Sequence, residues 1–241
     1  MKSNKERKQR NWGKIVGTFL LVTLILSIIY SVIKIIASPA VLTNGHTHTK
    51  VKSDYVLILL QCVLGLFVMM IPSVIERRLS VKIPNTMEVL YFIFLYCAIY
   101  LGEVHHFYYS VPYWDKILHA FSGAMLGALG FSLISILNDS EQMKVSLSPF
   151  FVALFAFCFA LAAGAIWEIY EYTFDGLLSL NMQKFALEDG TKLVGHQALT
   201  DTMTDIIVDA VSALCTSIIG YYSIKKRKSA YEANNLINKS V

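Results

Sequence analysis

Pro149–Trp167 reads PFFVALFAFCFALAAGAIW, nineteen consecutive residues without a charge, and it is followed at once by Glu168-Ile169-Tyr170-Glu171-Tyr172. At about 1.5 Å per residue such a run extends roughly 28 Å as a helix, close to the ~30 Å hydrocarbon layer of a bilayer. It is apolar on every side, so it has no wet face to present to water. In lipid its backbone groups must be satisfied within the segment, and a helix does that.

Five more runs of this kind surround it, which gives the expected spans Gly13–Ala37, Asp54–Ile75, Thr86–Val104, Trp114–Leu137, Pro149–Tyr172 and Asp205–Ile224. The expected fold is all-α: a bundle of about six transmembrane helices. Composition agrees, with 55% hydrophobic and only 16% charged residues against roughly 25% charged in soluble domains. Ala37-Ser38-Pro39-Ala40 offers small residues as in a signal-peptide cleavage site, but the apolar part before it exceeds the roughly 7–15 residues of such signals. The first run therefore reads as an uncleaved span.

Of the 21 Lys and Arg, 15 fall in the N-terminal tail (counting Lys14 at its edge), Glu76–Lys82, Asn138–Ser148 and the C-terminal tail. The bias of basic residues toward the cytoplasm then places both termini inside, in a multi-pass protein of the cell (plasma or inner) membrane. A net charge of +4 concentrated in tails and short loops has this topological explanation, and it does not indicate a nucleic-acid partner. The organisation follows: a basic tail over 1–12, two helices over 13–84, a four-helix membrane core over 85–224 and a second basic tail over 225–241. Cys62, Cys97, Cys158 and Cys215 each fall in a different apolar run and form no C-x-x-C pair, which suits buried apolar residues better than a disulfide framework.

Ionisable residues inside spans are costly, about 2.5–3.5 kcal/mol each at mid-membrane, so they mark function. The fourth span opens Trp114-Asp115-Lys116-Ile117-Leu118-His119, with Asp115 and His119 one turn apart. Ser122, Gly123 and Gly130 lie near the same arc, and Gly123 with Gly127 makes a G-x-x-x-G that lets another helix come close. Glu168 and Glu171 share one side of the fifth span with Gly164, at an end where acids oppose the helix dipole. In the sixth, Asp201, Asp205 and Asp209 run down one face, continued by Ser212 and Thr216. Thr202 and Asp205 have the spacing of a capping box, a structural alternative for Asp205; Asp209 lies too deep for that. Asp115 can likewise be read as a first-turn acid, His119 as a core histidine, and Trp167, Tyr170 and Tyr172 as interfacial aromatics.

Counting spans brings these motifs to one side of the membrane, the outer one, with Glu103, His105 and His106 at the same level. His46 and His48, in the first outer loop, are weaker candidates. An apolar stretch from Asp175 to Thr200 is expected to lie along the interface or to fold over the bundle's outer end as a cover. So many carboxylates facing only Lys116 and neutral histidines cannot pack together fully ionised; they must share protons or bind a cation. The expected metal ligands are Asp115, His119, Glu168, Asp205 and Asp209, for a divalent metal such as Zn, Mn or Fe. Glu171 and Glu168 are the candidates for catalytic proton handling.

At Trp114-Asp115-Lys116-x-x-His119, Trp167-Glu168-Ile169-Tyr170-Glu171, Asn181-Met182-Gln183 and Asp201-Thr202-Met203-Thr204-Asp205-x-x-x-Asp209 the chain resembles the YjdF-like bacterial integral membrane proteins, over about residues 85–222. That resemblance implies a polytopic bacterial membrane protein. The D-K-x-x-H string is also similar to VanZ-like proteins, which usually carry an Arg before the final Asp helix; this chain has none.

Three functions fit these residues. One is a metal-dependent enzyme acting on a lipid or lipid-linked substrate at the outer leaflet, although no H-E-x-x-H, nucleophile elbow or P-loop is present. Another is a cation or proton transporter, which should carry polar groups at more than one depth. The last is a non-catalytic membrane partner protein whose polar residues lock helices together.

Overall fold

A computed structural model describes residues 12–39, 50–79, 83–139, 147–187 and 190–239. Most of the N-terminal tail, His46, His48, Lys82 and the 140–146 connection lie outside the described residues. Among the described residues six helices are long and apolar enough to cross a membrane: Trp12–Ala37, Lys52–Arg78, Asn85–Val104, Trp114–Ile134, Pro149–Leu178 and His196–Ala230. The helices divide into two units. The first runs to Asp115 and includes Leu178–Leu180; the second holds Lys116–Leu177 and the chain from Asn181.

In the first unit, α1 (Trp12–Ala37), α2 (Lys52–Val68), α3 (Ile71–Leu79), α4 (Asn85–Leu95), a π-helical segment (Tyr96–Val104) and α5 (Phe107–Ser110) follow one another. Leu20 and Leu24 of α1 pack with Ile58 and Cys62 of α2, Phe92 of α4 and Ile99 of the π segment. The other sides stay apolar and open, as at Phe19, Leu26 and Ile36, because lipid rather than protein covers such a face. Pro72 has no N–H to give Val68 O, and the second span breaks at Met69-Met70. The Tyr91 hydroxyl donates to that carbonyl at 2.7 Å. At the other end His105 N–H reaches back five residues to Tyr100 O at 3.0 Å, and the Lys50 ammonium donates to the Glu103 and Val104 carbonyls, each at 3.2 Å. Burial lowers the Lys50 pKa, while nearby Glu103 and Asp54 pull it back up.

In the second unit three long helices, α6 (Trp114–Asp139), α7 (Pro149–Leu178) and α8 (His196–Lys239), run in alternating directions. Glycines set their spacing. A side chain at Gly123 would meet the Ser212 hydroxyl and, at 2.9 Å, the Asp209 carbonyl of α8. Gly127 faces Thr216 and Gly130 faces Ala156 of α7, so the G-x-x-x-G expected to admit a neighbour admits α8. Three helix ends differ clearly from the sequence expectation. α7 continues past Tyr172 to Leu178, and α8 begins at His196, not near Asp205, and runs past Ile224 through the expected tail to Lys239. The connecting stretch is thereby shortened to residues 179–195.

Candidate functional site

His119 lies one turn into α6, 8% exposed. Its Nδ1 is 3.1 Å from Asp209 Oδ2 of α8. An ionised carboxylate only accepts hydrogen bonds, so with Asp209 ionised Nδ1 carries the proton and Nε2 presents its lone pair on the far side of the ring. There it meets Asp205 Oδ1 at 3.7 Å and Glu168 Oε1 at 3.9 Å. Asp205, Asp209 and Glu168 are 1%, 2% and 4% exposed. Asp115 sits in the first turn of the same continuous α6, and Asp115, His119 and Asp205 each bring one ligand atom to within 4.8 Å of the others.

Helix geometry explains the convergence. The start of α6, the end of α7 and the start of α8 fall at one end of the second unit because the helices alternate in direction. Gly164 of α7 faces Asp209, and a side chain there would clash with the carboxylate. Ser122, one turn below His119, donates its hydroxyl to His119 O (2.9 Å) and lies 3.4 Å from Asp209 Oδ1.

Charge balance differs sharply from residue to residue. The Lys116 ammonium lies 2.7 Å from Asp201 Oδ1 and 2.7 and 2.8 Å from the two oxygens of Asp205. Lys184 adds a longer contact to Asp201 at 3.5 Å. Glu168 has no such support: both its oxygens are buried without a hydrogen-bond partner among the described residues. Nε2 thus lies within 3.9 Å of one oxygen of Glu168 and one of Asp205, and the Asp205 oxygen is shared with the Lys116 ammonium. The donor set, one imidazole and several carboxylates, suits a borderline divalent ion such as Zn, Mn or Fe.

Residues 16–226 match the family described as "Predicted membrane protein (DUF2238)". The chain belongs to that family. An uncharacterized protein of Thermotoga maritima is 27% identical over 151 residues, which is 62% of this chain and 69% of that one. No solved structure matches. Membership makes this DUF2238 chain a membrane protein associated with the lipid bilayer, and the site its helices assemble is the one described above.

Of the residues singled out in the sequence of this DUF2238 protein, Asp115, His119, Glu168, Asp205 and Asp209 come together. Glu171, half-buried, accepts a hydrogen bond from Trp167 Nε1 at 2.9 Å one turn back on α7. The capping alternative for Asp205 fails because α8 starts nine residues earlier, at His196, and Thr202 instead accepts from Gln183 Nε2 at 2.8 Å. Glu103, His105 and His106 belong to the first unit; there His105 packs edge-on to Tyr100 and His106 stacks on Tyr109.

Asp175 was not recognisable as a functional acid. It is buried, and its carboxylate accepts the backbone N–H groups of Met182 (2.8 Å) and Gln183 (3.0 Å). Asn181 holds the same stretch, exchanging two hydrogen bonds with the Ala186 backbone. Together with Gln183–Thr202 and Lys184–Asp201, these bonds fold the segment after α7 back onto the first turns of α8. Asn181-Met182-Gln183 carried the family resemblance in sequence, but nothing there showed that it bonds back to Asp175, Ala186 and Thr202.

Proposed function

We propose that this protein holds a divalent cation between His119, Glu168 and Asp205, with Asp115 completing the donor set, and uses it to act on a lipid or lipid-linked group. The observation that carries this reading is Glu168: a carboxylate 4% exposed, with neither oxygen within hydrogen-bonding geometry of a partner among the described residues, 3.9 Å from a histidine nitrogen. A buried charge left in that state is strongly unfavourable unless something positive joins it.

Asp209 takes a different role from the one expected of it. It lies on Nδ1, the nitrogen opposite the cluster, so it fixes the ring and its tautomer as carboxylates commonly do behind metal-ligating histidines. Bound there, a divalent ion supplies Lewis acidity and lowers the pKa of a coordinated water. Glu168 then serves as a ligand, and Glu171, less buried and one turn further along α7, is the candidate for exchanging protons with the medium. Lys116 balances Asp201 and shares Asp205 with the cation, which leaves Glu168 and Asp115 to the cation. The segment 181–187, tied to Asp201 and Thr202, covers the end of α8 and restricts water.

If all six candidate spans cross, both termini fall on one side and the cluster on the other. With the basic tails cytoplasmic in a plasma or inner membrane, the cluster faces the outer leaflet, where lipid-linked groups are presented. Metal analysis of purified protein in nanodiscs tests this. Stoichiometric Zn, Mn or Fe is expected in the parent chain and lost in His119→Ala and Glu168→Gln. Metal-dependent turnover of a lipid headgroup, followed by mass spectrometry, then completes the case. Absence of metal from parent protein that carries proton or cation flux in liposomes would favour a transporter instead.

A further inference from the structure

The opposite end of the second unit carries a separate cavity of about 430 Å³, between the start of α7 and the last apolar turn of α8. We infer that it binds the headgroup phosphate of an anionic phospholipid. Lys225 and Lys228 of α8, three residues apart and so on one face, supply positive charge, and Ser148, Ser229 and Tyr221 supply hydroxyls. The opposite wall is apolar: Phe150 lines the cavity and is 66% exposed.

Each part of that wall suits a different part of such a lipid. Among the described residues no carboxylate lines the cavity, in contrast to the acid-rich end of the same helices, so an anion entering it meets ammonium groups and hydroxyls. The Ser148 oxygen already accepts from Phe151 N–H at 3.2 Å, which leaves its own hydrogen to donate. Lys225 Nζ lies 5.8 Å from the centre of the Tyr221 ring, a contact that holds the ammonium at the cavity edge. The volume falls within the range of small-molecule sites, about 300–1,000 Å³, enough for a headgroup but not for acyl chains. Those would continue along Phe150 on the apolar side. In sequence the cavity sits where Ile224 ends an apolar run and Lys225-Lys226-Arg227-Lys228 begins, the level at which lipid phosphates lie, and basic pockets between spans at that level bind anionic headgroups.

Basic residues after a last span also arise as topological signals, but such signals count charge and require no cavity. This difference gives the test. Full-length protein in detergent is titrated with dioleoyl phosphatidylglycerol, with dioleoyl phosphatidylcholine, and with inorganic phosphate as competitor, and bound lipid is read by native mass spectrometry. Phosphatidylglycerol should bind in preference to phosphatidylcholine. Lys225→Gln/Lys228→Gln should weaken it on the order of tenfold, whereas Lys226→Gln/Arg227→Gln, which removes the same charge from positions that do not line the cavity, should not. Equal loss in both double variants, or equal binding of the two lipids, overturns the proposal. Displacement by equimolar inorganic phosphate overturns the lipid as the source of the phosphate. If the cavity double variant fails to fold, Lys228→Gln alone against Arg227→Gln carries the same comparison.

Discussion

Replacing Glu168 by Gln separates a carboxylate that serves a cation from one that is merely buried. Glu168 is 4% exposed and neither oxygen has a hydrogen-bond partner among the described residues. An uncompensated buried charge costs about 3–5 kcal/mol, and Gln keeps the shape while dropping the charge. After chelation, therefore, Glu168→Gln should be at least as stable as the parent chain. A cation present at a hundred times its Kd adds about 2.7 kcal/mol to whatever binds it, roughly 5–10 °C in Tm for a chain of this size. The parent should show that gain and the variant should lose most of it. Thermal unfolding in nanodiscs, first with chelator and then across a titration of Mn2+, Zn2+ and Fe2+, measures both signs. Equal cation-dependent gains in the two chains would refute the reasoning. So would a chelated variant several kcal/mol weaker than the parent, because Glu168 would then be a structural partner of its neighbours.

Asp209→Asn should leave the chain folded while lowering metal affinity about 10–100-fold, read by competition with a chromophoric chelator. Gly164→Ala forces a methyl group against the Asp209 carboxylate and should cost about 1–3 kcal/mol in urea or thermal unfolding; Gly176→Ala, in the same helix with nothing within 4 Å, should be neutral or mildly stabilising. Lys116→Met strips the counter-charge from Asp205, 1% exposed, and should destabilise by about 3–5 kcal/mol, with Lys116→Arg retaining much of the stability.

The spans were legible because lipid imposes a length and a composition on every crossing. The start of α7 at Pro149 could be read to the residue, though not its end, and the acidic faces of α6, α7 and α8 followed from spacing once the direction of each helix was counted. What sequence could not show was which carboxylate is compensated. Asp205 and Glu168 look alike as strings, yet Lys116 reaches one and not the other, a difference made by side-chain reach across helices 85 or more residues apart in sequence. The role of Asp209 was hidden for a related reason: only the orientation of the imidazole decides which nitrogen it touches. Asp175 escaped notice because its partners are backbone N–H groups, which every residue but proline offers.

The wide winding of Tyr96–Val104 bears on the lipid around the first unit. Turns that close five residues back wrap the same length of chain around a broader circle, so they climb less along the axis than α-turns. Asn85–Val104 has only 20 residues, which would reach about 30 Å if wound tightly throughout. Part of it is wound more widely, so it falls short of that, a mismatch that thinning of the adjacent bilayer, snorkelling or association takes up at a cost of some fraction of a kcal/mol per Å. Short-chain lipids should therefore gather along this helix in preference to long-chain ones.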